Sequence, residues 1–349
     1  MTAEPIIYPG SLILVTGSTG FIGAHCVKQL LQEGYKVRAA LRSKSKADRL
    51  MRSVERKYQL SLSFAFISDI TDLKSMQKAV VGCDGILHLA SPYTYAVTNF
   101  VDELLTPAVK GTTTVMEAAI NEPKVKRVVI TSSFAAVYDA SKGMQPGVVL
   151  TERDFSPLLW DDGANTSDVA VAYRASKIVA ERAAWDFIEE KHPNFDIAVL
   201  CPPMVYGPLM NTLLLDSIAS LNFSNQGIWK MCTSSSLDEV PPTKGPVWVD
   251  VRDLANAHIK ALITPGASNQ RFMVSAGDFC NQEIADILRE KLPKKLADNI
   301  PIGEPGRRIT GSHFTTDSTK AIKVLGVHFG RFEDAVLDLA LQLFEYTQT

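Results

Sequence analysis

Tyr173 and Lys177 are the residues whose types and spacing could do acid–base chemistry. They stand in Tyr173-Arg174-Ala175-Ser176-Lys177, which opens a helical pattern running through Ala180, Ala183, Ala184 and Phe187. Residues four apart share one face of a helix, so the phenol and the ammonium can converge. A phenol, with its pKa of about 10, is a poor acid or base at neutral pH unless its anion is stabilised. A neighbouring ammonium does this, as does the positive ring of an oxidised nicotinamide. About 40 residues upstream, the apolar run Arg127 to Thr131 opens into Ser132-Ser133. Ser133 therefore falls at the carboxyl end of a strand, where open α/β sheets bind their ligands.

The element that would bring a nicotinamide to these groups lies near the N-terminus. Leu12-Ile13-Leu14-Val15 reads as a strand buried on both faces, followed by Thr16-Gly17-Ser18-Thr19-Gly20-Phe21-Ile22-Gly23 and a helix through Leu31. Gly17 permits a tight turn, Gly20 lets backbone N–H groups approach a pyrophosphate, and Gly23 lets the helix pack closely. The diphosphate would then meet the positive end of the helix dipole.

Tyr35 to Leu41 reads as the second strand. A fold that prefers NAD carries an acid about 20 residues past the glycines to hold the ribose 2′-hydroxyl. Arg42 stands there instead, with Lys44 and Lys46 after it. A guanidinium can bind a 2′-phosphate with parallel hydrogen bonds and stack on adenine, so the predicted cofactor is NADP(H). Lys46 either joins it or solvates the loop. A charged helix is expected over Ala47 to Tyr58, and a third strand over Leu62 to Ile67. Asp69 can accept from the adenine amino group with Ile70 packed on the ring, or can cap the helix that starts near Asp72. Gly85 to Leu89 is the fourth strand, and the small Ala90 lets the chain pass close to the dinucleotide. His88, inside that apolar run, reads as a packed imidazole. A long helix spans Glu103 to Asn121. Strands alternating with helices give a Rossmann-type, doubly wound parallel sheet.

Composition narrows the function classes. The 349 residues exceed what a single core organises, so a large domain with a smaller attached lobe is expected. A net charge of −2, with no Lys/Arg block, argues against a nucleic-acid partner. No apolar run reaches membrane-spanning length, and Met1-Thr2-Ala3-Glu4-Pro5 lacks the charged-then-apolar pattern of a signal peptide, so neither a membrane span nor a leader is expected. Cys26, Cys83, Cys201, Cys232 and Cys280 are odd in number and widely spaced. They predict reduced thiols in a cytoplasmic protein without a metal site.

Taken together, Thr16 to Gly23, Thr131-Ser132-Ser133 and Tyr173 to Lys177 resemble the extended short-chain dehydrogenase/reductase family. The likeness is closer to the dihydroflavonol 4-reductases, and closer still to the yeast and fungal methylglyoxal/carbonyl reductases. Ala183-Ala184-Trp185-Asp186-Phe187, Trp248 to Asp253 and Ile300-Pro301-Ile302-Gly303 carry that branch. The resemblance implies that Tyr173 donates a proton to the substrate oxygen. Lys177 would hold the nicotinamide ribose and lower the tyrosine pKa, while Ser133 would hydrogen-bond the carbonyl. Implied cofactor contacts are Gly17, Thr19, Gly20, Phe21, Ile22 and Gly23. Pro202 and Val205, in the segment beside the carboxamide, and Ser224 join them. Tyr93, Phe134, Ala170 and Met204 match positions that border the substrate; for Tyr93 and Phe134 ordinary packing is the equal alternative. Met204 replaces an aromatic residue of some relatives. Such a pocket suits hydrophobic aldehydes and ketones.

Past Tyr206 the strand–helix rhythm weakens. Residues 1–206 are expected to form the NADP-binding domain, with 247–275 returning to it. Residues 207–246 and 276–349 should form mainly a discontinuous substrate lobe and closing helices. Asp250 or Asp253 should cap the helix Val251 to Ile263. The expected protein is an NADPH-dependent carbonyl reductase with a small-molecule substrate, a monomer or homodimer. The rivals are a nucleotide-sugar epimerase or dehydratase of the same superfamily and a non-catalytic NADP-binding regulator. The first would show extra acids or a cysteine beside the tyrosine and a basic uridine-diphosphate pocket, for which Arg307-Arg308 leaves a small opening. The second would lose the tyrosine and lysine.

Overall fold

The structure, a computed structural model, describes residues 4–91 and 97–348. β1 (Leu12–Thr16), α1 (Phe21–Gln32), β2 (Lys36–Leu41), α2 (Lys44–Ser53) and β3 (Leu62–Phe66) form the first half of a sheet. α3 (Leu73–Val80), β4 (Gly85–His88), α4 (Thr106–Ile120) and β5 (Arg127–Thr131) follow. Next come β6 (Val149–Leu150), α5 (Trp160–Ala164), α6 (Val169–Lys191) and β7 (Asp196–Cys201). The remaining elements are β8 (Met204–Tyr206), α7 (Phe223–Cys232), β9 (Val247–Asp250), α8 (Val251–Ile263), β10 (Gln270–Met273), β11 (Gly277–Asp278), α9 (Asn281–Lys291), α10 (Lys294–Ala297), β12 (Thr315–Thr316) and α11 (Phe332–Gln348).

Seven strands pair in the order β10-β7-β5-β4-β1-β2-β3, each parallel to its neighbours, which is a Rossmann sheet. Side-chain alternation explains why β1 is apolar from Leu12 to Val15. Ile13 and Val15 enter the core under α1 and α8, while Leu14 enters the opposite core under α3, α4 and α6. Each is fully buried; burying such a side chain contributes roughly 1.5–3 kcal/mol. The strand order reverses between β1 and β4, the place where parallel sheets open a ligand crevice. There Thr16 is in register with His88, and His88 with Ile130.

A second core is built on the three-stranded sheet β11-β9-β8. It joins Tyr206, Trp248, Phe279, Ile284, Leu288, Phe332 and Leu339. β9 therefore does not enter the main sheet; it pairs with β8 and β11 instead. α8 and β10 return, α8 packing on α1 and β10 extending the edge beyond β7, while Val247 and Val249 of β9 are buried in the cores of the main sheet. Asp250, not Asp253, caps α8, accepting from Arg252 N at 2.7 Å. The segment around β12 also reaches back. β12 pairs with β6, and Phe314, Ala321 and Leu325 fill the cores of the main sheet.

Helix ends differ from expectation where a capping side chain decides them. α2 starts at Lys44 because Ser43 caps it, and it stops at Ser53, before a tight turn over Arg56–Ser61. α6 starts at Val169, one turn before Tyr173, because Asp168 accepts from Ala170 N at 2.7 Å. The long helix is entered through a wide turn over Val101–Leu105, with Pro107 in the first turn of α4.

Candidate active site

The carboxyl ends of β1 and β4 are tied together by the Thr16 hydroxyl, and that of β5 is tied to α8 by the Thr131 hydroxyl. Thr16 Oγ1 accepts from Leu89 N and Ala90 N at 3.1 Å each. It donates to His88 Nδ1 at 3.0 Å. Burial, reinforced by Lys177, pushes the His88 pKa down to about 4, so the imidazole is neutral and can accept. Next along the edge, Thr131 Oγ1 meets His258 Nε2 at 2.7 Å, and His258 Nδ1 donates to Leu254 O. His88 is thus a packed edge imidazole; among the described residues no His/Cys/Asp/Glu cluster could hold a metal ion.

The glycine turn between β1 and α1 has the shape a diphosphate needs. Gly17 has φ +65°, a left-handed conformation that favours glycine. A Cβ on Gly23 would lie 2.2 Å from the Gly17 carbonyl oxygen, and one on Gly20 3.2 Å from it. Gly17 itself presses against the backbone of Leu89 and Ala90. Gly20 is the N-cap of α1 and makes no side-chain capping bond. The cap therefore leaves the first-turn N–H groups, those of Phe21 and Ile22 among them, without a side-chain acceptor, the arrangement a bound anion can use. Ser18 Oγ anchors the turn to Ala40 O at 2.9 Å. These features fit a bound dinucleotide.

At the ends of β2 and β3 sit the residues expected around the adenosine. Arg42 is exposed directly after β2, and Lys46 is half-buried in the first turn of α2, its backbone N–H donating to Ser43. Asp69 does not cap α3. That role belongs to Asp72, whose Oδ1 accepts from Lys74 N at 3.0 Å. Asp69 instead accepts from the amide and hydroxyl of Thr71, an exposed turn. Ile70 packs on α4, where a Cβ on Gly111 would lie 3.0 Å from it.

α6 carries Tyr173 and Lys177 past the end of β5. Tyr173 is half-buried, and its carbonyl accepts from Ser176 Oγ at 2.7 Å. Lys177 is buried, with Nζ 3.4 Å from both Ser91 Oγ and Thr131 O. Burial pushes its pKa down to about 8, partly offset by Glu181 and Cys201. Ser133 caps a short turn over Phe134–Ala136, accepting from Ala135 N at 3.1 Å, which leaves its O–H to donate elsewhere. α6 packs against that turn. The structure thus assembles the serine turn and the tyrosine–lysine helix at one edge. Sequence reasoning passed over Thr16, Ser91, Ser132 and Glu181 there. Glu181 alone left a signal, four residues after Lys177 on the same face.

The side expected to meet substrate is mixed. Phe134 stacks on Tyr138 with ring centroids 5.6 Å apart and leans on Phe314 at 5.3 Å, so it is half in the core. Met204 is half-buried on β8 beside Gly245, and Ala170 is half-buried in the first turn of α6. Tyr93 lies outside the described residues. Pro202 O accepts from Phe134 N at 2.8 Å, joining the two segments. The neighbours of Ser224 bring it to Val205: Asn222 Nδ2 donates to Val205 O at 3.4 Å and Asn225 Nδ2 to Gly207 O at 2.9 Å. Arg307 and Arg308 are ion-paired to Glu304 and to Asp286, so their charge is already matched by carboxylates.

The chain is similar along nearly its whole length to known proteins. The model of the NAD dependent epimerase/dehydratase family matches residues 13–275. The ketoreductase azaE of Aspergillus niger is 35% identical over 339 residues, covering 95% of this chain and 97% of that protein. The NADPH-dependent methylglyoxal reductase GRE2 of Saccharomyces cerevisiae is 34% identical over 344 residues, covering 96% of this chain and 98% of that protein. The crystal structure of yeast methylglyoxal/isovaleraldehyde reductase Gre2 complexed with NADPH superposes with a TM-score of 0.89 at 33% identity, covering 97% of this chain and 99% of that one. The match spans both the Rossmann sheet and the second core, and the chain belongs to the NAD-dependent epimerase/dehydratase family, the extended short-chain dehydrogenase/reductases.

Proposed function

We propose that this chain reduces aldehydes and ketones to alcohols with NADPH. The observation that carries the reading is the buried Lys177 ammonium, one helical turn after Tyr173, facing the strand end that leads into Ser133. GRE2 of Saccharomyces cerevisiae, matched along 96% of this chain, is an NADPH-dependent methylglyoxal reductase by name, and the matching yeast crystal structure is of a reductase complexed with NADPH. Arg42, in place of an acid after β2, supports NADPH over NADH.

When bound, the cofactor supplies a hydride to the substrate carbon. Gly17, Gly20 and Gly23 with the first turn of α1 would hold its diphosphate, and Arg42 with Lys46 its 2′-phosphate. Asp69 and Ile70 would meet the adenine. Ala90, Pro202, Val205 and Ser224 would line the nicotinamide end. Ser133 donates to the substrate carbonyl oxygen, so that negative charge growing on that oxygen is already hydrogen-bonded. Tyr173 then gives its phenolic proton to the same oxygen. The Lys177 ammonium makes that transfer feasible near neutral pH by stabilising the phenolate left behind. Phe134, Ala170 and Met204 give the substrate side an apolar wall, which favours small hydrophobic carbonyl compounds over charged sugars. A cytoplasmic location is the companion reading, supported by five free, buried cysteines.

Purified protein should consume NADPH in proportion to alcohol formed on a panel of α-dicarbonyls, aliphatic aldehydes and aryl ketones. An absence of consumption on every member, with NADPH bound, would remove the reductase reading.

A further inference from the structure

One turn beyond Lys177, Glu181 is only 2% exposed, yet it carries a full charge partner. Arg271 of β10 donates Nε to Glu181 Oε1 at 2.6 Å and Nη2 to Oε2 at 3.3 Å. Ser132 Oγ donates to Oε2 at 2.5 Å, and Trp185 Nε1 to Oε1 at 3.3 Å. The remaining guanidinium donors reach Glu152 O at 2.9 Å, Asp154 O at 2.5 Å and Ala136 O at 3.1 Å, and the plane lies 4.0 Å from the Phe155 ring. A buried ion pair is weak as a source of stability, because desolvation offsets most of its attraction. Its connections are more informative.

Ser133 is bracketed by them. Its predecessor Ser132 is held by Glu181, and Ala136, at the end of the turn that Ser133 caps, is held by Arg271. Glu181 shares its helix with Tyr173 and Lys177. Lys177, Ser132 and Glu181 also line one cavity of about 10 Å³, with room for about one water, together with His88, Ser91 and Thr131. We infer that Glu181 and Arg271 are positioning residues. They lock the Ser133 turn to the tyrosine–lysine helix, so that the hydroxyl and the phenol address one substrate oxygen. The inference rests on the proposed roles of Ser133, Tyr173 and Lys177.

The same carboxylate faces the Lys177 ammonium. The other titratable groups around that ammonium, among the described residues, are Tyr173 on α6, His88 on β4 and Cys201 on β7, with Arg271 on β10 behind Glu181. His88 is neutral, and burial holds the Cys201 thiol protonated. Glu181 is therefore the anion that supports the charged lysine.

Ser132→Ala, Glu181→Gln and Tyr173→Phe should be measured side by side for kcat, KM, NADPH Kd and the pH dependence of kcat. Ser132→Ala leaves the Glu181–Arg271 pair in place, so it carries the test even where Glu181→Gln fails to fold. Its kcat should fall roughly tenfold or more, because small displacements of a reacting group are costly. NADPH Kd should change by less than about twofold, since no cofactor contact is removed. Glu181→Gln should also move the alkaline limb of kcat to lower pH by roughly 1 unit, the effect of removing a nearby anion from an ammonium. Folded Ser132→Ala with wild-type kcat, or folded Glu181→Gln with an unmoved alkaline limb, overturns the inference. If Tyr173→Phe is inactive while the other two match wild type, only the positioning role falls. If Tyr173→Phe keeps the wild-type rate, the catalytic reading falls and takes the positioning role with it.

Discussion

Lys177 is held between the Ser91 hydroxyl and the Thr131 carbonyl, where burial works against its charge and Glu181 works for it. Its pKa of about 8, down from 10.5, sets a specific pH dependence for the proposed chemistry. The rate of reduction should fall as pH rises through about 8, because a neutral amine no longer stabilises the Tyr173 phenolate. Unfolding does not explain such a fall. Between the folded value and the unfolded 10.5 the unfolded chain binds more protons at this site, so Lys177's contribution to stability rises with pH. A kcat profile flat to about pH 10 would contradict the assignment, since an unperturbed lysine titrates only there. Arg42 makes the second residue-scale prediction. Arg42→Ala should lower the ratio of kcat/KM with NADPH to that with NADH by roughly 10- to 100-fold, the loss of charged hydrogen bonds to a phosphate. An unchanged ratio would remove Arg42 from the site.

At the scale of elements, the turn between β1 and α1 was readable in the sequence because glycine spacing there is a steric statement. Gly23→Ala would force a Cβ to 2.2 Å from the Gly17 carbonyl oxygen, whereas Gly20→Ala meets the same oxygen at 3.2 Å. NADPH Kd, measured by fluorescence titration, should therefore weaken about tenfold or more for Gly23→Ala, the order of an overpacked site, and less for Gly20→Ala. Equal affinities would mean that the turn does not shape the cofactor site. The alternation of apolar strands and amphipathic helices was equally legible, since periodicity reports burial directly. Partner choice was not. Val247-Trp248-Val249 announces a strand, but nothing in its pattern says that β8 and β11, rather than the main sheet, will pair with it. Asp69 reads as a cap of the helix that starts near Asp72, and only the folded backbone shows that Asp72 itself takes that role. The partners of Glu181 outside its own helix were not legible: Ser132, Cys201 and Arg271 come from separate stretches that only the fold brings together.

The whole molecule is held at three places by buried neutral histidines. His25 on α1 bonds Pro208 O at 2.9 Å, His88 bonds Thr16 and His258 bonds Thr131. Burial pushes the pKa of each down to about 4 from 6.5. Between those values the unfolded chain takes up protons that the folded chain refuses. Their stabilising contribution is therefore whole above pH 6.5 and is lost as pH falls towards about 4. Urea unfolding should show a loss of several kcal/mol across that range, as shifts of this size at buried groups imply. A midpoint that stays constant from about pH 7 to about pH 5 would contradict it. Function at this scale rests, in the proposed reading, on a parallel sheet that binds NADPH with the second core beside its nicotinamide end. The family's name covers epimerases and dehydratases, while GRE2, to which this chain is similar, is a reductase by name. Turnover with NADPH fully deuterated at C4 separates the two most directly. The proposed reductase leaves one deuterium on the carbinol carbon of the alcohol for each NADPH consumed, and Tyr173→Phe leaves almost none while still binding NADPH. Deuterium that stays with the cofactor pool while the substrate is isomerised or dehydrated, with no net NADPH consumed, would contradict the account.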